Sequence, residues 1–167
     1  KNFNIMGYDK NMSVFSSGLE SMGIKIIYKS SLENIPNYFL DNSTTLVVYP
    51  PAINDENIFF DFFTKNNFVV VKRAKLLGQI CLDYNVIAIA GTHGKTTVSI
   101  MLSHILTVAG YDPSAFFGGI SNNYQSNVLL GKSDYMIVEA DEYDRSFLEL
   151  NPIIGLITSL DRDHIDT

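Results

Sequence analysis

Gly91-Thr92-His93-Gly94-Lys95-Thr96-Thr97 carries the densest chemistry in the sequence. Glycines on either side of Thr-His permit a tight backbone turn that aims N–H groups at an anion. Lys95 supplies a cation for the β- and γ-phosphates of a nucleotide, and the Thr96 hydroxyl is an oxygen ligand suited to Mg²⁺. The spacing departs from the standard phosphate loop of Gly, four residues, then Gly-Lys-Ser/Thr: Ile89 stands at the first glycine position, and Gly91 takes its place nearer Gly94. An ordinary glycine-rich turn with a solvated lysine is the competing reading. The order of apolar strand, glycines, Lys-Thr and helix favours the phosphate loop.

Acidic and imidazole groups follow at two further strand ends. Glu139 closes the apolar run 135–139 and precedes Ala140-Asp141-Glu142-Tyr143-Asp144. Parallel sheets present ligand chemistry at the carboxyl ends of their strands, so Glu139 can face the loop and bind Mg²⁺. Glu142 and Asp144 read as a solvated acidic loop. His164 follows the run 153–158 and reads either as a metal ligand or as a surface or capping residue. His93 lines the loop, whereas His104 falls mid-helix as a packing or surface residue. Asp9 ends the run 3–8; it can read a ribose or base, or cap the helix that begins near Asn11.

These groups need a sheet to hold them. Apolar runs at 3–8, 25–28, 45–49, 68–71, 86–90, 135–139 and 153–158 predict strands, and amphipathic runs at 11–22, 55–66, 73–84 and 95–109 predict helices. The alternation is that of an α/β protein with a parallel sheet. Pro50-Pro51-Ala52-Ile53 predicts a rigid turn after the third strand. A boundary falls at 84/85, dividing a Rossmann-like domain (1–84) from part of a phosphate-loop ATPase α/β domain (85–167).

Bulk composition excludes several classes. Twelve basic against eighteen acidic residues give a net charge of −6, which argues against a nucleic-acid-binding face. No apolar run approaches the roughly 18 residues of a membrane span, and no signal peptide opens the chain, so a cytoplasmic location is expected. The single cysteine, Cys81, lies among Leu76, Leu77 and Ile80 and reads as a reduced core thiol.

Gly-Thr-His-Gly-Lys-Thr-Thr (91–97), Glu-Ala-Asp-Glu-Tyr-Asp-Arg-Ser-Phe-Leu (139–148) and Asp-His-Ile-Asp (163–166) together resemble the Mur ligases. His93 points to the alanine-adding branch or the tripeptide-recycling branch, and Ser146-Phe147-Leu148-Glu149-Leu150-Asn151-Pro152 looks more like the former. The resemblance implies three domains, of which this chain holds the first without its opening strand and glycine-rich loop, part of the second, and none of the third. It implies an ATP-dependent ligase of peptidoglycan synthesis that joins L-alanine to UDP-N-acetylmuramate through an acyl phosphate. Carried over by motif, Lys95 stabilises the phosphoryl group, Thr96 and Glu139 hold one Mg²⁺, Glu139 and His164 hold a second, and Asp9 lies near the uridine. Ser159 stands where the family usually has Asn. A non-catalytic nucleotide-binding module on the same fold, or an unrelated phosphate-loop NTPase, are the readings from other classes. The 167 residues alone are expected not to ligate. Phosphate release by the purified chain that depends on ATP, alanine and UDP-muramate together would overturn that expectation.

Overall fold

A computed structural model describes residues 3–53, 56–141 and 147–161. The chain divides into two compact units, Lys1–Val71 and Lys72–Thr167.

In the first unit, β1 (Met6–Tyr8), α1 (Val14–Ser21), β2 (Lys25–Ile27), β3 (Leu46–Tyr49), α2 (Ile58–Lys65) and β4 (Val69–Lys72) follow in order, with two short 3₁₀ turns between β2 and β3. β1 pairs with β2 in parallel, and β3 pairs with β4. The core is Ile27, Ile35, Phe59, Phe63 and Phe68, against which Met6, Tyr8, Val47 and Val70 pack from the strands. Phe59 and Phe63 are four residues apart, so they share the buried face of α2.

Local chemistry sets the helix starts. α1 begins after Ser13, whose hydroxyl accepts from the Ser16 N–H while the Ser16 hydroxyl accepts from the Ser13 N–H. The apolar pattern alone predicted a start near 11. Asp9 does not cap the helix; its carboxylate accepts from the Asn11 N–H at 3.1 Å and closes a local turn. Asn57 caps α2 by accepting from the N–H groups of Phe59 and Phe60. The turn after β3 forms as expected, with the Ile53 N–H donating to the Pro50 carbonyl at 3.1 Å.

The second unit contains α3 (Arg73–Cys81), β5 (Asn85–Ala90), α4 (Lys95–Val108), β6 (Ser114–Ser121), β7 (Ser126–Leu129), β8 (Tyr135–Glu139) and β9 (Ile154–Ile157). The sheet order is β7-β6-β8-β5-β9, parallel except for the antiparallel β6–β7 hairpin. β6 and β7 are absent from the strands predicted by apolar runs. Gly118-Gly119 breaks the first run, and the second has only four residues.

β5 is buried on both faces, with its side chains alternating between two cores. Val86 and Ala88 join Cys81, Met136, Val138 and Leu150 beneath α3. Ile87 and Ile89 join Ala115, Phe117 and Ile137, and Val98, Leu102 and Leu106 of α4 pack on that side. Thus α3, which a division at 84/85 assigns to the first part, buries Cys81 in the core of the second unit. Burial pushes the Cys81 thiol up, as expected of a protonated core group.

Gly78 lets α3 seat against the turn at 147–149, because an added Cβ would overlap the Glu149 carbonyl oxygen, which is rigid backbone. Gly78→Ala is expected to destabilise the fold by about 1–3 kcal/mol. Urea denaturation of the variant beside the parent checks this, and an unchanged midpoint would contradict it.

Candidate functional site

The sheet register brings the polar groups together. Ile89 on β5 lies opposite Glu139 on β8, and Ala90 lies opposite Ile157 on β9. The loop after β5, the carboxylate ending β8 and the segment after β9 therefore emerge side by side at one sheet edge, as expected of open parallel sheets.

Two glycines shape the loop. Gly91 has φ +125° and Gly94 φ +82°, both in the region that favours glycine. An added Cβ on Gly91 would overlap the Thr158 hydroxyl and approach the Ser159 backbone within 2.8 Å. Gly94 immediately precedes α4, so the loop delivers its chain into a helix N-terminus and the partial positive charge there. Lys95 curls back across the loop, its Nζ donating to the Gly91 carbonyl at 2.7 Å.

The segment after β9 clasps the loop from the other side. The Thr92 N–H donates to the Ser159 carbonyl at 3.1 Å, and the His93 N–H donates to Ser159 Oγ at 3.0 Å. Thr92 Oγ1 accepts from the Asp161 N–H at 3.0 Å. Thr158 Oγ1 lies 3.1 Å from the Ala90 carbonyl oxygen and 2.5 Å from that of His93. His93 itself is exposed, with Nε2 3.9 Å from an Asp161 carboxylate oxygen.

Glu139 faces the start of α4. Its Oε2 accepts from the Thr96 hydroxyl at 3.0 Å, and its Oε1 accepts from the Ser99 hydroxyl at 3.0 Å and the Gly118 N–H at 2.6 Å. With its proton directed at the carboxylate, the Thr96 oxygen keeps lone pairs for a cation. A hydroxyl and a carboxylate are the hard donors Mg²⁺ takes, and one or two protein ligands suffice where phosphates and waters complete its octahedron. The donor set fits a nucleotide-bound divalent cation.

The structure thus brings together Gly91, Thr92, His93, Gly94, Lys95, Thr96, Thr97 and Glu139, the residues expected of the loop and its carboxylate. His164, Glu142 and Asp144 lie outside the described residues. His104 is an exposed residue of α4, and Asp9 belongs to the first unit. Sequence reasoning missed Ser99, Gly118 and Thr158. Two signals were present: Ser99 follows Thr96 by three positions and shares its helix face, and paired glycines in an apolar run mark close backbone approach.

The fold and site define a phosphate-loop α/β unit with an acidic residue on the neighbouring strand end. Residues 89–167 match the Mur ligase middle domain. The chain is 47% identical over 167 residues to the UDP-N-acetylmuramate–L-alanine ligase of Porphyromonas gingivalis, covering 99% of this chain and 37% of that protein. It is 42% identical to the ligase of the same name from Cytophaga hutchinsonii, again over 99% of this chain and 36% of the relative. The crystal structure of a UDP-N-acetylmuramate–alanine ligase from Thermotoga maritima superposes with a TM-score of 0.85 at 25% identity, over 95% of this chain and 36% of that one. Residues 89–167 thus have the Mur ligase middle domain, and the chain as a whole is similar to one part of these Mur ligases. It spans a little over a third of the length of these relatives.

Gly91→Ala would combine a disfavoured φ with a clash against the Ser159 backbone. It is expected to destabilise the protein by about 1–3 kcal/mol and to weaken ADP binding. Calorimetric titration of ADP alongside thermal melting tests both, and a variant matching the parent in each would refute the account of the loop.

Proposed function

We propose that this chain forms part of an ATP-dependent ligase that joins L-alanine to UDP-N-acetylmuramate in peptidoglycan synthesis. The observation that carries the ATP half is the Thr96–Glu139 contact of 3.0 Å at the mouth of the loop. The alanine half is supported by similarity to UDP-N-acetylmuramate–L-alanine ligases 42% to 47% identical to this chain.

In this reading residues 85–167, together with α3 packed on them, are part of the central ATP-binding domain, and the residues before α3 are a Rossmann-like domain for the UDP substrate, with Asp9 near the uridine. The loop amides and the N-terminus of α4 bind the phosphates. Lys95 leaves the Gly91 carbonyl and offsets charge on the transferring γ-phosphoryl group. Thr96 and Glu139 hold Mg²⁺, with His164 and Glu139 as the proposed holders of a second ion; the metal supplies charge neutralisation on the phosphates. A muramate carboxylate oxygen attacks the γ-phosphorus and ADP leaves, giving an acyl phosphate. The amine of L-alanine then attacks the acyl carbon, phosphate leaves, and the amine loses a proton. ATP and a UDP-sugar as substrates place the reaction in the cytoplasm. No described helix is long and apolar enough to cross a membrane.

Lys95→Ala in the full-length enzyme is expected to lower ligation by on the order of 10²–10³-fold, as for other groups that stabilise transition-state charge. Alanine-dependent phosphate release measures it. Release driven by a tripeptide but not by alanine would move the protein to the recycling branch, and a fully active Lys95→Ala enzyme would end the proposal.

A further inference from the structure

Glu139 is held far more tightly than a metal ligand at a strand end requires. Three donors converge on it: the hydroxyls of Thr96 and Ser99, and the Gly118 N–H. Thr96 is accounted for as a ligand, but Ser99 and Gly118 have no part in the reaction as described. Ser99 is completely buried, at 0% exposure. Its hydroxyl lies 3.0 Å from both the Thr96 carbonyl oxygen and Glu139 Oε1. It has one proton to give, and a carboxylate is the stronger acceptor.

Gly118 meets the carboxylate from β6. An added Cβ there would stand 2.6 Å from Glu139 Oε2 and 3.1 Å from Thr96 Oγ1. Both atoms end movable side chains, so the extra carbon would displace the ligands before it strained the fold.

We infer that Ser99 and Gly118 are positioning residues for the cation, fixing the Glu139 carboxylate so that Oε2 faces the ion beside Thr96. Oε1 accepts from the Ser99 hydroxyl and the Gly118 N–H, which fixes the plane of the carboxylate. Among the described residues Oε2 accepts from Thr96, and its remaining lone pair lies beside the Thr96 oxygen. The pair therefore sets a carboxylate oxygen and a hydroxyl oxygen side by side, as a small octahedral ion requires. Without the Ser99 proton, the Glu139 carboxylate can rotate and lose this alignment.

The inference rests on the reading of Thr96 and Glu139 as cation ligands, and the test separates the two. Mn²⁺ binding to the full-length protein with saturating ADP is followed by the loss of the free-ion paramagnetic resonance signal. Ser99→Ala is expected to weaken Mn²⁺ binding by about 10–100-fold, the range for partners that orient metal ligands. ADP affinity without metal should stay at the parent value, and Ser99→Thr should recover Mn²⁺ binding. Gly118→Ala should weaken Mn²⁺ binding at least as much with an unchanged melting temperature. Glu139→Gln is the reference. If it abolishes Mn²⁺ binding while Ser99→Ala and Gly118→Ala leave it intact, the positioning role is overturned and the metal reading stands. If Glu139→Gln also binds Mn²⁺ normally, both are overturned.

Discussion

Parallel pairing of β5 with β8 on one side and β9 on the other determines where every polar group of the site can be. Parallel strands all point their carboxyl ends the same way, and the register opposite Ile89 and Ala90 leaves little freedom in height. Glu139 closes β8 as the loop leaves β5, and Thr158 begins the segment after β9 at the same level. The ladder is held by side chains that never meet a ligand: Val86, Ile89, Ile137 and Val138 are all within 1% of complete burial. Each contributes on the order of 1.5–3 kcal/mol by leaving water. Precision at the edge is thus set by packing in the middle.

The loop is braced before any nucleotide arrives. Lys95 bonds the Gly91 carbonyl, and Thr158 and Ser159 engage backbone groups of Ala90, Thr92 and His93. Folding has therefore already met much of the entropic cost of ordering seven residues, which binding would otherwise meet. Ser159 takes part in this bracing through both its side chain and its backbone. Its hydroxyl accepts from the His93 N–H, and its carbonyl accepts from the Thr92 N–H.

Legibility in the sequence followed physical simplicity. Val86–Ala90 reads as a buried strand because it is apolar throughout, and the glycines and Lys-Thr that follow announce the turn. Glu139 was legible because a carboxylate ending an apolar run has few places to go. β6 was not legible: Gly118 weakens the strand pattern where the Glu139 carboxylate needs room, so local propensity gave way to the demands of the site. Ser99 was hidden for a different reason, since a serine on a core-facing helix position looks like a tolerated substitution until its partner across the sheet is known. The start of α1 slipped from 11 to Val14 because the reciprocal Ser13–Ser16 cap is stronger than the apolar periodicity that runs past it.

β9 has one more property. It is the outermost described strand on its side of the sheet, and Ile154, Leu156 and Ile157 are all well exposed, so neither face is covered among the described residues. It carries no lysine, proline or bulge of the kind that protects sheet edges. Such an edge is a template for another strand, whether from the same polypeptide or from a neighbour. The strand that aligns the loop therefore also presents, among the described residues, an uncovered row of peptide groups on which another strand can pair.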